Sequence, residues 1–282
     1  MFSIAYHRKP TTFFGRKFDM KQDAHIHTPF CPHGSTDSFE QYIDKAIAHG
    51  FTDISFTEHA PLPEGFIDPT PDKDSGMLLT QLEPYLHTVT QLKKQYAQHI
   101  NISVGLEVDY IIGYEQQTTQ FLQTYGAALD DSILSVHFLR HAQHYTCIDF
   151  STEEFMRFSK QIGSVQGVYD LYYETLQQSI LADLGAYKPK RIGHPTLVHK
   201  FQHAHGEHID DDASIVQTLQ LMAQHGYALD VNSAGLAKQY CLEQYPPKRY
   251  VELAKTLHIP LVFGSDAHTA ADLHQFYEDV WQ

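Results

Sequence analysis

Strand-like segments that each end on an imidazole or a carboxylate constrain this chain more than any other feature. Ala24–Thr28 reads as the end of a strand begun near Met20, so His25 and His27 share a face, about 7 Å apart. His33 follows across a turn rich in Pro and Gly, and returns a third imidazole to the same mouth. Near the other end, the apolar run Leu261–Gly264 leads to Asp266 and His268, again two residues apart. Two ends so far apart in sequence meet only if the sheet between them closes.

The segments between them follow the same plan. Asp53–Thr57 leads to Glu58 and His59, Ile100–Leu106 to Glu107, Ser132–Val136 to His137, and Arg191–Gly193 to His194. Tyr227–Val231 and Ile259–Gly264 complete a set of about seven strands. Helical patterns alternate with them. Asp37 to Glu40 has the form of a capping box, Phe39, Tyr42, Ile43, Ala46 and Ile47 form a stripe, and Gly50 stops that helix. Further helices are expected over residues 77–98, 114–128, 165–185, 212–225 and 246–257. Residues 60–75, rich in proline, read as a long loop over the strand ends, and residues 138–150 as a hairpin. Alternation without repeats or flexible linkers implies one parallel α/β domain over residues 1–282, with residues 1–19 as an N-terminal extension. A length of 282 residues suits a single α/β barrel.

In a parallel barrel the C-terminal strand ends share one face. His25, His27, His59, Glu107, His137, His194, Asp266 and His268 then converge, joined by His33. That set is too large for one ion at the usual four to six positions, and supplies three ions if Glu107 bridges two. Imidazole with carboxylate suits Zn, Mn or Fe. A single strand-end histidine is more often a hydrogen-bonded polar residue; the whole series favours metal. His199, His203, His205 and His208 read instead as a solvated loop, His141 and His144 as hairpin tips, and Cys31 as packing.

The net charge of −14 argues against a nucleic-acid or anionic-membrane partner. No apolar run approaches the roughly 18 residues of a membrane helix, and residues 1–10 lack the apolar core of a signal peptide. Three widely separated cysteines form no Cys-x-x-Cys pair, which suits a reducing cytoplasm.

Several strings carry a family resemblance. They are His25-Ile-His-Thr-Pro-Phe-Cys-Pro-His-Gly34, Phe56-Thr-Glu-His-Ala-Pro-Leu-Pro63, Gly105-Leu-Glu-Val-Asp-Tyr110, Leu134-Ser-Val-His-Phe-Leu139, Tyr172-Tyr-Glu-Thr175, Arg191-Ile-Gly-His194 and Gly264-Ser-Asp-Ala-His268. Together they resemble the polymerase and histidinol phosphatase (PHP) superfamily, in its histidinol-phosphate phosphatase branch. The resemblance implies a distorted (β/α)7 TIM-like barrel with a trinuclear site. Carried over by position, His25, His27, Glu107 and Asp266 would hold one ion; Glu107, His137 and His194 a second; His33, His59 and His268 a third. It implies hydrolysis of L-histidinol phosphate to L-histidinol and phosphate in histidine biosynthesis. Two ions sharing Glu107 would lower the pKa of a bridging water, with Asp266 orienting it. Arg191 and Lys200, flanking His194, are candidate phosphate contacts. Asp109, Glu115 and Glu174 are candidates for the substrate's ammonium or imidazole, with Tyr173 for stacking. The alternatives are a phosphoesterase for another monoester (nucleotide, sugar phosphate or phosphotyrosine) and a non-catalytic scaffold, which predicts gaps in the ligand set. Oligomeric state stays open.

Overall fold

The computed structural model describes residues 21–281, so the segment expected as an N-terminal extension, and Met20 with it, lies outside the described residues. The chain begins with β1 (Gln22–Ile26), α1 (Phe39–Ala48), β2 (Asp53–His59), α2 (Leu79–Gln95), β3 (Asn101–Asp109), α3 (Glu115–Tyr125) and β4 (Asp131–Ser135). A hairpin, β5 (Phe138–His141) and β6 (His144–Cys147), interrupts the alternation before α4 (Thr152–Ile162), α5 (Val165–Leu181) and β7 (Arg191–Ile192). Then come α6 (Gln202–His205), α7 (Asp212–His225), β8 (Ala228–Asn232), α8 (Lys248–Thr256), β9 (Leu261–Gly264) and α9 (Tyr277–Val280).

Seven strands pair in parallel in the order β1-β2-β3-β4-β7-β8-β9. The sheet nearly closes: Ile26 bridges Ala267 in parallel, His27 N–H donates to Ala267 O at 3.0 Å, and Asp266 N–H to His25 O at 2.8 Å. Those closing bonds set the first His-x-His beside the last Asp-x-His, the meeting the sequence required. The expected (β/α)7 barrel is therefore the observed one. Among the described residues no helix is long and apolar enough to cross a membrane.

The helices cover the barrel with the stripes their periodicity implied. In α1, Phe39, Tyr42, Ile43 and Ala46 are buried, while Ile47 sits at the edge, 36% exposed. Its cap lies one residue later than expected: Ser38 N–H donates to Gln41 Oε1 at 2.7 Å, and Asp37 instead accepts from Ala270 N–H. Helix α4 had not been expected; Phe155 and Phe158 bury its inner face, and Ser151 caps it by accepting from Glu154 N–H. Several helices are shorter than the pattern suggested, α2 and α8 at both ends. α3 passes at Gly126 into a 3-10 turn, and α5 stops at Leu181, where Gln178 O accepts from the Ala182 N–H. A correction falls on His199, which is buried rather than solvated. Residues 197–201 form a 3-10 helix, and His199 Nδ1 and Nε2 lie 2.6 and 2.7 Å from Glu243 and Asp211. Its neighbours His203 and His208 are exposed as expected, and His205 is half-buried against Phe155.

Candidate metal centre at the barrel mouth

Glu107, near the end of β3, stands at the middle of the mouth. Its Oε2 lies 3.1 Å from His59 Nδ1, 3.4 Å from His25 Nε2 and 3.5 Å from His27 Nε2. Its Oε1 lies 2.9 Å from His194 Nε2 and 3.7 Å from His137 Nε2, and accepts from Ser135 Oγ at 2.5 Å. Asp266 Oδ1 is 3.1 Å from His27 Nε2 and 3.7 Å from both His25 and His268. Imidazoles from β1, β2 and the segments after β4 and β7 thus gather on one carboxylate. His33, more exposed, completes the rim: its ring lies 5.0 Å from that of His59 and 5.1 Å from that of His268.

A layer of acids behind these groups fixes the rings. Asp230 Oδ2 lies 2.8 Å from His25 Nδ1, Asp109 Oδ1 2.8 Å from His137 Nδ1, and Glu58 Oε1 3.2 Å from His27 Nδ1. Each acid takes one ring nitrogen and leaves the other turned to Glu107 or Asp266. This is how a metal-binding histidine is given its tautomer and direction. Glu58 also accepts from Thr28 N–H and its hydroxyl, so it pins the first loop as well. His194 and Asp266 both have positive φ, +24° and +52°, in non-glycine residues. Such backbone strain concentrates at functional sites.

The donor set fits divalent ions. Buried His25 Nε2, both nitrogens of His59 and Glu107 Oε2 make no hydrogen bond among the described residues, and native interiors seldom leave such atoms unmatched. Burial alone would raise the Glu107 pKa; the imidazoles of His25, His137 and His59 hold it well below the usual carboxylate range. Asp266 is held down in the same way by His25 and His27. Three groups of ligand atoms each lie within 4.8 Å of one another: His25, His27 and Asp266; Glu107, His137 and His194; His27, Cys31, His59 and His268. The first holds three of the four residues expected around one ion, without Glu107, and the second is made of the three expected around another. The third includes Cys31 rather than His33; burial and the nearby Glu58 push the Cys31 thiol up.

The mouth opens into a cavity of about 380 Å³, within the roughly 300–1,000 Å³ usual for small-molecule sites. Besides candidate ligands, Thr70, Asp74, Phe138, Asp149, Phe150, Lys200, Lys238 and Tyr245 line it. Of the expected substrate contacts only Lys200 is among them, with its ammonium 2.9 Å from Asp149. Arg191 lies at the other end of the barrel, donating to Ala24 O and Asp131 at 2.8 Å. Glu115, the first residue of α3, turns back to the preceding loop and accepts from Tyr110 Oη and Gly113 N–H. Tyr173 is buried against Asp211, and Glu174 points out from α5 to Gln178. Asp109 orients His137 instead of meeting the cavity. Sequence reading had also missed Glu58 and Asp230, because a lone acid inside an apolar strand carries no periodic signal of what it will touch.

The PHP domain matches residues 23–234. A histidinol-phosphatase of Bacillus subtilis is 49% identical over 262 residues, which cover 92% of this chain and 97% of that one. Among solved structures, a Listeria monocytogenes protein assigned as a histidinol phosphatase superposes with a TM-score of 0.86 at 39% identity, covering 92% of this chain and 99% of the other. A histidinol phosphate phosphatase of Lactococcus lactis, complexed with zinc, L-histidinol and phosphate, superposes with a TM-score of 0.68 at 19% identity and shows the shared fold; the match covers 92% of each chain.

Proposed function

This chain belongs to the PHP domain family, and from that premise we propose that it hydrolyses L-histidinol phosphate to L-histidinol and phosphate, a step of histidine biosynthesis. The observation that carries the reaction class is Glu107, a buried carboxylate approached by five imidazoles at the floor of an open cavity. The substrate rests on the 49% identity with the Bacillus enzyme along nearly its whole length.

Three divalent ions, of Zn, Mn or Fe, suit the donors. His25, His27, Asp266 and Glu107 would hold one, Glu107, His137 and His194 another, and His33, His59 and His268 the third. Such ions, when bound, supply a nucleophile from water at neutral pH and neutralise phosphate charge. The protein's own groups do the remainder. Glu107 presents one oxygen to each side of the site, so the two halves keep a fixed spacing. Asp266, its Oδ2 accepting from Asn232 Nδ2 at 3.2 Å, is set to orient the attacking water. Lys200 and Lys238 line the cavity and oppose the charge of the phosphoryl group as it transfers. We take the whole chain to act as one catalytic domain.

The purified enzyme should turn over histidinol phosphate far faster than p-nitrophenyl phosphate, and a chelator should abolish both activities. Equal rates on the two esters would remove the substrate assignment. Undiminished turnover in the chelated protein would remove the metal-dependent mechanism.

A further inference from the structure

Resting on the reading above, we propose that Asp74 is the residue that selects for the substrate's ammonium group, and so separates an amino-alcohol phosphate from other monoesters. Four carboxylates line the cavity: Glu107, Asp149, Asp266 and Asp74. Glu107 and Asp266 face the imidazoles, and Asp149 is neutralised by Lys200 at 2.9 Å and accepts from the Cys147 thiol at 3.2 Å. The Asp74 carboxylate has neither a hydrogen bond nor an ion pair among the described residues. Only its backbone is engaged, Asp74 O lying 2.8 Å from His33 Nδ1. One anionic position on the cavity wall is thus left for a cation that the protein does not supply.

The position is also preorganised. Asp68 accepts from Thr70 N–H at 2.9 Å, Thr70 Oγ1 at 2.8 Å and Ser75 N–H at 3.0 Å, and Lys73 Nζ donates to Asp68 O. Those bonds tie the proline-rich loop into a fixed shape on either side of Asp74. Gly76 seals its base: a Cβ there would stand 2.6 Å from Ala60 O, so only glycine lets the loop lie this close to the end of β2. An acid held on a rigid loop spends little entropy on meeting its ligand.

The charges around the cavity match a dipolar substrate. The lysines, Lys200 and Lys238, come from the segments after β7 and β8, whereas Asp74 comes from the loop after β2. A phosphate drawn to Lys238, whose ammonium makes no ion pair among the described residues, and to the imidazole cluster leaves an ammonium a few bonds away to meet Asp74, beside His33. Phe150, 45% exposed at the rim, offers the imidazole ring an apolar surface.

The test compares Asp74→Asn and Asp74→Glu with the unaltered, metal-loaded enzyme on three esters: histidinol phosphate, its N-acetyl derivative and p-nitrophenyl phosphate. Loss of one charge-assisted contact should raise KM for histidinol phosphate roughly 10- to 100-fold in Asp74→Asn, with kcat little changed. KM for the two esters that lack an ammonium group should stay within about twofold, and Asp74→Glu should recover part of the loss. Unchanged metal content and Tm would exclude a folding defect. Equal changes on all three esters, or none on any, would overturn the role of Asp74 while leaving the phosphatase reading standing. Unaltered enzyme that treats histidinol phosphate and its N-acetyl derivative alike would also overturn the ammonium role alone, whereas equal rates on histidinol phosphate and p-nitrophenyl phosphate would overturn the substrate reading beneath it.

Discussion

Arg191 opens β7 and His194 lies three residues on, just past its end, yet they serve opposite ends of the barrel. At about 3.3 Å per residue, that spacing carries the chain roughly 10 Å from floor to mouth. At the floor, Arg191 Nη2 reaches across to Ala24 O on β1 and to Asp131 on β4. Its Nε and Nη1 are buried without partners, and so are His25 Nε2 and His59 Nε2 at the mouth. The chemistry of those atoms differs. Guanidinium N–H groups can be satisfied only by an acceptor such as water, whereas an imidazole nitrogen with a lone pair can take a metal ion. Buried charge at the floor therefore braces the barrel, and at the mouth it holds cations. This is the division of labour common to α/β barrels.

The comparison is broken most directly at Glu107. Glu107→Ala should lower turnover at least about 1,000-fold, since removing the shared carboxylate leaves both halves of the site without their link. Steady-state kinetics with metal analysis would check this, and retained activity would sink the bridging role. Metal removal should come next in size. Dialysis against chelator should abolish activity and lower Tm, with both restored by added Zn or Mn, because ions that bind only the folded state stabilise it by mass action. A chelated protein that melts unchanged would mean that the mouth imidazoles need no cation.

Changes at the floor should touch stability and spare chemistry. Arg191→Met leaves Asp131 without its partner and should cost about 2–3 kcal/mol in urea unfolding. The figure stands below that for a fully enclosed pair because the Asp131 side chain is 27% exposed. KM and kcat of the folded variant should match the parent; a rise confined to KM would return Arg191 to phosphate binding. A smaller effect belongs to His199. Burial would lower its pKa, but hydrogen bonds to Asp211 and Glu243 more than offset this and raise it. A raised folded pKa gives stability that is complete below the unfolded value, about 6.5, and lost as pH climbs through the folded one. His199→Gln should therefore be less stable by about 1 kcal/mol below pH 6.5, with the gap closing at higher pH. A gap that widened with pH would show a neutral histidine there.

The convergence of strand-end histidines and acids was legible because it follows period and position. His25 and His27 alternate correctly on one strand, and Glu107, His137 and His194 each close an apolar run. The substrate contacts were not legible. Glu115, Tyr173 and Glu174 were picked for their residue type near a motif, and their elements turn them to the loop before α3, a buried tyrosine–aspartate bond and solvent. Asp74, on a loop without period, gave no sign. Its importance rests on which other acids are already paired, a fact about neighbours far away in the chain.

Local pattern thus specified the seven strands, the helices that cover most of them and the imidazoles at their ends, since strand alternation and helical stripes are properties of short stretches. Which acid orients which ring and which carboxylate is left over for a substrate were decided only when distant segments packed. Hydrogen bonds such as Asp230 to His25 join residues 205 positions apart, and no short stretch encodes the partner it will meet.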